Sequence, residues 1–581
     1  MKLASVKRIG VCWVAVMSLV GTRGSDAQAE AGGPVTFVDV TLTSGLDFQH
    51  THGGDPLNPK RYYIETMCGG VAFLDYDEDG LLDAYGVNGQ YVGDPEKPRA
   101  TNRLYRNLGD GTFADVTATT GAGDEGYGMG ITAGDYDGDG DVDLYVSNFG
   151  PNALLKNQSR TRFESVGEKM AVADSAWGVG AAFFDYDNDG DLDLYVANYL
   201  DYHLADADRK LRAYVARGGD VAPTAGYPHP DNFRGVSDVL YQNDVDRFRD
   251  VTRQAGVYNP GGKGMGIAIA DYDDDGDVDV FVANDETRNF LYQNNADGTF
   301  VEMGLLSGTG YDRDGETQSG MGASFGDYDN DGQLDLALTV YQGETNALFR
   351  NEGQGMFTDV AHREGLAIPS LEYVSWGVGF LDYDNDGYRD LFVANGHVLD
   401  NAEEFDSSSK YAMPNQLFRN LGPRADGRWR FDDVSVSVGD DMSDARPSRG
   451  VAFGDYDNDG DSDILVLNLN EAATLLRNDG GNAHHWLAVR LKGTISNRDG
   501  VGARVRLETG DLTLSDQMMT GGSYLSQHQP RLSFGLGMHQ RVDRLVVRWP
   551  SGVVDELQNL PVDGMVTIEE GAGLLSGADA P

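Results

Sequence analysis

The pattern Asp-Tyr-Asp-x-Asp-Gly-x-x-Asp occurs seven times in the 581-residue chain, beginning at Asp75, Asp135, Asp185, Asp271, Asp327, Asp382 and Asp455. Alternating aspartates followed by a glycine turn the backbone back on itself, and the carboxylates converge. That convergence is tolerable only around a hard cation. Side-chain oxygens at positions 1, 3, 5 and 9 with the carbonyl at position 7 form an oxygen-only set suited to Ca²⁺, whereas Mg²⁺ demands a stricter octahedron and retained waters. The expected ligands are Asp75, Asp77, Asp79, Leu81 and Asp83, then Asp135, Asp137, Asp139, Asp141 and Asp143. The third and fourth copies supply Asp185, Asp187, Asp189, Asp191 and Asp193, and Asp271, Asp273, Asp275, Asp277 and Asp279. The last three supply Asp327, Asp329, Asp331, Gln333 and Asp335; Asp382, Asp384, Asp386, Tyr388 and Asp390; and Asp455, Asp457, Asp459, Asp461 and Asp463. Up to seven Ca²⁺ are expected. A helix–loop–helix calcium site needs Glu at position 12, where this chain has Gly86, Val146, Val196, Val282, Leu338, Val393 and Val466. Metal-free acidic turns would explain one copy, but not seven near-identical ones.

The elements that must position these loops repeat with them. A glycine stands five residues before each first Asp, at Gly70, Gly130, Gly180, Gly266, Gly322, Gly377 and Gly450. Strand-like runs such as Gly180-Ala-Ala-Phe-Phe184 and Leu194-Tyr-Val-Ala-Asn198 flank each motif. A third strand reads Leu104-Tyr-Arg-Asn107, with counterparts at Leu155, Leu240, Leu291, Leu348, Leu417 and Leu475. A fourth reads Phe113-Ala-Asp-Val-Thr117, echoed at Phe163, Phe248, Phe300, Phe357 and Phe431. Four short strands, seven times over, predict an all-β chain whose main body is a seven-bladed β-propeller with calcium loops. The last repeat lacks the Phe-x-Asp-Val strand, while an orphan copy, Phe37-Val-Asp-Val-Thr41, precedes the first. This orphan is expected to complete the seventh blade and reduce open sheet edges. Each calcium loop joins adjacent strands of a blade, so the metal is expected to be mainly structural.

In such a ring the loops lie on one face and the longest insertions, roughly 88–102, 200–237 and 395–415, lie on the other. Asn88, Asn148, Asn198, Asn284, Asn395 and Asn468 end second strands there. His50, Glu65, Trp177, Trp376, His397 and Arg449 fall nearby, so that face can hold a ligand. The competing reading is that the asparagines cap strand ends and the tryptophans plug the channel. No nucleophile elbow, phosphate loop or zinc motif occurs. His484-His485 lacks a third ligand at metal spacing, and Asn157-Gln158-Ser159 is a formal glycosylation sequon.

The chain has 93 Asp+Glu against 45 Lys+Arg, a formal net charge of −48. That balance argues against nucleic acid or an anionic membrane surface as partner. Apolar content of 40% and aromatic content of 10% exclude an ordinary disordered acidic tail. Residues 1–29 read as a signal peptide: Lys2, Lys7 and Arg8, an apolar run from Ile9 to Val20, then Ala27-Gln28-Ala29. Cleavage there would leave Cys68 as the only cysteine, so calcium replaces disulfides as the staple. No later run is long enough to span a membrane. The expected location is secreted, extracellular or periplasmic.

From about His484 the repeat stops, and strand-like runs such as Trp486–Leu491, Gly502–Leu507 and Val542–Pro550 predict a small β-sandwich-like domain. The expected organisation is a signal peptide at 1–29, a propeller at 30–482, the small domain at 483–571 and a disordered tail at 572–581. Ser496-Asn-Arg-Asp-Gly-Val-Gly-Ala-Arg504, Ser523-Tyr-Leu-Ser526, Pro530–Gly537 and Val542–Gly552 closely resemble the ASPIC/UnbV domain. The upstream repeats resemble the FG-GAP (VCBS) repeats of integrin α propellers, and Asn395-Gly-His-Val398 fits the same picture. Together they resemble the cartilage acidic protein family. That resemblance implies calcium-binding aspartates and an extracellular location, and no settled activity. Two functions stay open. One is a secreted calcium-binding adhesion or recognition module that meets an extracellular protein or glycan. The other is a secreted enzyme acting on a polysaccharide or small molecule at the face opposite the calcium loops.

Overall fold

Each acidic motif is the turn of a β-hairpin. In the second repeat, strand Gly128–Gly134 pairs antiparallel with Asp143–Asn148, and Gly134 faces Asp143 across the turn. Strands Ala153–Gln158 and Arg162–Ser165 follow in order. The two inner strands are buried along their whole length, which explains their small and apolar residues, and the outermost buries only Phe163. This four-stranded antiparallel sheet occurs seven times. The computed structural model describes residues 35–53, 62–92, 97, 99–206, 229–404, 406–424 and 427–576. Residues 1–34, on which the signal-peptide expectation falls, and residues 577–581 lie outside them.

The seventh sheet orders Ser448–Gly454, Asp463–Asn468, Thr474–Asp479 and then Thr36–Asp39, with Phe37 opposite Asn478. Both ends of the propeller segment thus share one blade. At the axis the backbones touch. A Cβ on Gly322 would lie 2.2 Å from the Trp376 carbonyl oxygen, and one on Gly266 2.3 Å from that of Met321. Only glycine fits there.

The C-terminal part is a sandwich of two four-stranded sheets over its own apolar core. Gly573–Ser576, within the stretch expected to be a tail, forms its edge strand beside Gly564–Glu569. The sandwich sits on the acidic-loop side of the ring. Arg498 reaches Glu78 at 2.9 Å, Arg504 reaches Asp274 at 3.1 Å, and Arg531 reaches the Asn458 side-chain oxygen at 2.7 Å.

From between Leu512–Gln517 and Leu532–Gly537 the sandwich sends a loop down the channel. Its backbone bonds the inner strands directly: Ala323 N–H to Ser523 O, Ile131 N–H to Leu525 O, and Phe73 N–H to Gln527 O, at 3.0–3.2 Å. At the far end the Tyr524 hydroxyl donates to the Met67 carbonyl at 2.7 Å. Tyr524 and Leu525 share a buried cluster with Met129, Val179, Met265, Met321 and Trp376, each of which immediately precedes an axial glycine. The channel is therefore filled by a strap from the sandwich. The tryptophans alone do not plug it, because the opening between seven glycine-lined strands admits a backbone.

Candidate metal centres and the two faces of the ring

Within each loop the backbone is shaped by the aspartates themselves. The position-6 glycines have φ between 88° and 101°, the left-handed region where only glycine is unstrained. Their N–H groups donate to the position-1 carboxylate at 2.8–3.1 Å, and the position-7 N–H donates to the position-5 carboxylate at 2.9–3.3 Å. In the first four blades, one oxygen from each of positions 1, 3 and 9 lies within 4.8 Å of the others. Asp75, Asp77 and Asp83 form the first such group. Six position-3 residues, Asp77, Asp137, Asp187, Asp273, Asp329 and Asp457, each keep a buried Oδ1 with no hydrogen-bond partner. A buried carboxylate oxygen without a partner is costly. An all-oxygen donor set with that oxygen free fits a hard divalent cation.

Burial, foremost, pushes the position-1 and position-9 carboxyls up when no cation is present. Asp135, Asp185 and Asp455 rise to about 7, Asp83 to about 8 and Asp143 to about 9. Nearby aspartates add to the rise.

Position 9 also ties the ring together. One of its oxygens accepts the position-2 tyrosine N–H. The other accepts the N–H of the asparagine that ends the third-strand motif, at 2.7–2.8 Å. These asparagines are Asn107, Asn157, Asn243, Asn294, Asn351, Asn420 and Asn478. Each side-chain amide then donates to the position-2 carbonyl of the preceding blade at 2.7–2.9 Å. The bond from Asn107 to Tyr456 closes the circle between the first and seventh blades. Each position-2 tyrosine ring meets a fourth-strand phenylalanine of the next blade at 5.6–6.1 Å, and Phe37 fills that role for Tyr383. Residue type alone reads Leu104-Tyr-Arg-Asn107 as a strand with a counterpart at Leu155; the pairing of Leu154 with Tyr145 moves that counterpart one residue earlier, and the Asn that then stands fourth in all seven copies is the unused signal. The sequon fails for the same reason: Asn157 is a ring asparagine, fully buried, donating to Tyr76 and Val142.

The opposite face holds the other residues singled out, all buried. Arg449 donates its five N–H groups to the carbonyls of Thr66, Gly396, Ser448 and His397, and its guanidinium lies 4.2 Å from the Trp376 ring centre. His50 Nδ1 accepts the Asn470 N–H, which leaves its proton on Nε2, 3.7 Å from Cys68 Sγ. The pair is not arranged as base and nucleophile. His397 Nδ1 accepts the Leu399 N–H, and Glu65 accepts the Tyr62 N–H at 2.6 Å. Trp177 packs edge-on against Tyr63, Phe149 and Tyr199. The second-strand asparagines bind local loop atoms: Asn148 donates to Asp124 and Pro151, and Asn395 to Pro414. They cap strand ends.

Fold and loops together define a seven-bladed propeller whose acidic hairpin loops carry a docked β-sandwich. The FG-GAP-like repeat family matches residues 75–146, 136–196, 271–338 and 327–393, and the ASPIC and UnbV family matches 493–574. The chain is similar to cartilage acidic protein 1 of Homo sapiens, at 26% identity over 497 residues, covering 83% of this chain and 69% of that protein. The Mus musculus protein of the same name is 27% identical, with 83% and 70% covered. The resemblance drawn from the motifs is thus borne out. Among solved structures the chain is similar to the BP39L lectin from Burkholderia pseudomallei. The TM-score is 0.42 at 10% identity, over 71% of this chain and 95% of the lectin. Among the described residues, no helix is long and apolar enough to cross a membrane.

Proposed function

We propose that this is an exported calcium-binding propeller that serves as an extracellular adhesion or recognition module. Each of the seven loops holds one Ca²⁺ through the carboxylates at positions 1, 3, 5 and 9 and the position-7 carbonyl. The buried, partnerless Oδ1 in six loops carries this reading. The ions are mainly structural, because every loop is a hairpin turn wedged between its blade and either a neighbouring blade or the sandwich. The N-terminal basic and apolar segment supports export. Recognition falls to the insertion-bearing face, which the sandwich leaves uncovered, and its ligand is an extracellular protein or glycan.

A ligand that binds only the folded state stabilises it by about 2.7 kcal/mol per site at a hundredfold excess over Kd. Seven such sites rival the 5–15 kcal/mol net stability of ordinary domains. Chelation with EDTA is therefore expected to lower the melting temperature more than any single substitution. A melt unchanged by EDTA would refute the calcium reading.

A further inference from the structure

The seven loops agree in their aspartates and differ in the residue the third strand brings to them. That residue, immediately before the ring asparagine, is Arg106, Lys156, Gln242, Gln293, Arg350, Arg419 or Arg477. In blades 1, 2, 5 and 6 it is a cation seated on the carboxylates at positions 3 and 5. Arg106 reaches Asp77 at 2.7 Å and Asp79 at 3.0 Å; Arg350 reaches Asp329 at 2.6 Å and Asp331 at 3.2 Å. Lys156 pairs with Asp137 and Asp139, and Arg419 reaches Asp384 at 2.7 Å.

Blades 3 and 4 replace this cation by a neutral amide in the same position. Gln242 donates to the Asp187 carboxylate at 2.6 Å, and Gln293 donates to that of Asp273. The carboxylate is held in place without its charge being cancelled. Among the described residues, no lysine, arginine or histidine forms an ion pair with the five motif aspartates of blade 3, or with those of blade 4. Arg504, from the sandwich, pairs with Asp274, a sixth acid of the blade 4 loop, and reaches the Asp271 carbonyl at 3.4 Å, so its charge bears on position 1 while positions 3 and 5 carry no seated cation. In blade 7, Arg477 turns to Asp479 at 2.7 Å, outside the loop.

We propose that this third-strand residue grades the loops, so that blades 3 and 4 form a high-affinity pair and blades 1, 2, 5 and 6 a weaker class. The inference rests on the calcium reading above. A unit charge about 5 Å from a divalent ion repels it enough, even at the dielectric of water, to weaken binding roughly tenfold. Blade 7, with its arginine turned aside, falls between the two classes.

The test is a calcium titration of the chelator-stripped full chain by calorimetry against a competing chelator. Two ions are expected to bind at least about tenfold more tightly than the four of the weaker class. The double substitution Gln242→Arg with Gln293→Arg is expected to move two ions into the weaker class. Arg350→Gln, which installs the residue blades 3 and 4 use naturally, is expected to move one ion the other way. Seven equivalent sites, or a titration indifferent to both exchanges, would overturn the grading and leave the calcium reading intact. No calcium uptake at all would overturn both.

Discussion

The two faces of the ring are built on opposite plans. On the acidic-loop face every blade repeats the same bonds: glycine to position 1, tyrosine to position 9, asparagine to the neighbouring blade. On the far face the recurring feature is the asparagine that ends the second strand in six blades, and the larger side chains differ from blade to blade. Arg449 gathers four carbonyls beside blade 7, Trp177 heads an aromatic cluster beside blade 3, and His50 meets Cys68 beside blade 1. The strap from Ser523 to His528 belongs to the first face by origin and reaches the second at its tip. The repeated face follows from a requirement imposed seven times. The other is mostly a set of single solutions, each built from residues that occur in one blade.

The largest test of that contrast is electrostatic. The position-1 and position-9 carboxyls are raised in the metal-free fold, foremost by burial, from an ordinary aspartate value near 3.9 to about 7 for Asp185 and about 9 for Asp143. The folded state therefore holds these protons more tightly than the unfolded chain. That contribution is full below the unfolded value and is lost as pH rises through about 7 to 9. In EDTA the melting temperature is expected to be higher at pH 5 than at pH 8. In saturating calcium the slope is expected to reverse, because protons then compete with the ion. Parallel slopes under both conditions would mean that the loops do not carry the ring's charge burden.

The strap gives the next largest effect. Tyr524 is fully buried against Trp376, with ring centres 4.9 Å apart. Truncation of a buried aromatic costs about 3–5 kcal/mol. Tyr524→Ala is expected to lower stability by that amount and to expose the strap to limited proteolysis. A loss below about 1 kcal/mol would show that the sandwich is tethered without being locked.

The same contrast explains what could be read from residues alone. Period and identity revealed the blades, the loops, the axial glycines and the role of Phe37, because each was stated seven times or was conspicuous as an orphan. The asparagine ring was equally regular, yet its partner is a backbone carbonyl in another repeat, and a carbonyl leaves no trace in residue type. The strap escaped for a different reason. Ser523-Tyr-Leu-Ser526 occurs once, and its bonds run from backbone to backbone across about two hundred residues or more. Gly573–Ser576 reads as tail in the sequence because four residues are too few to show alternation.

Asparagines on the two faces offer the finest comparison. Asn351 donates to Tyr272 of the previous blade at 2.7 Å and to Leu334 of its own at 3.1 Å, all of it buried. Asn351→Ala strands both carbonyls and cuts one link between blades, so a cost toward the upper end of about 1–3 kcal/mol is expected. Asn148, equally buried, donates to Asp124 at 3.1 Å and to Pro151 at 3.0 Å at the part-buried rim of the far face. Water can replace those bonds once the side chain is gone, so Asn148→Ala is expected to cost about 1 kcal/mol or less. Urea unfolding of both variants in saturating calcium measures the difference. Equal costs, or the reverse order, would mean that the far face is as integral to the ring as the loop face.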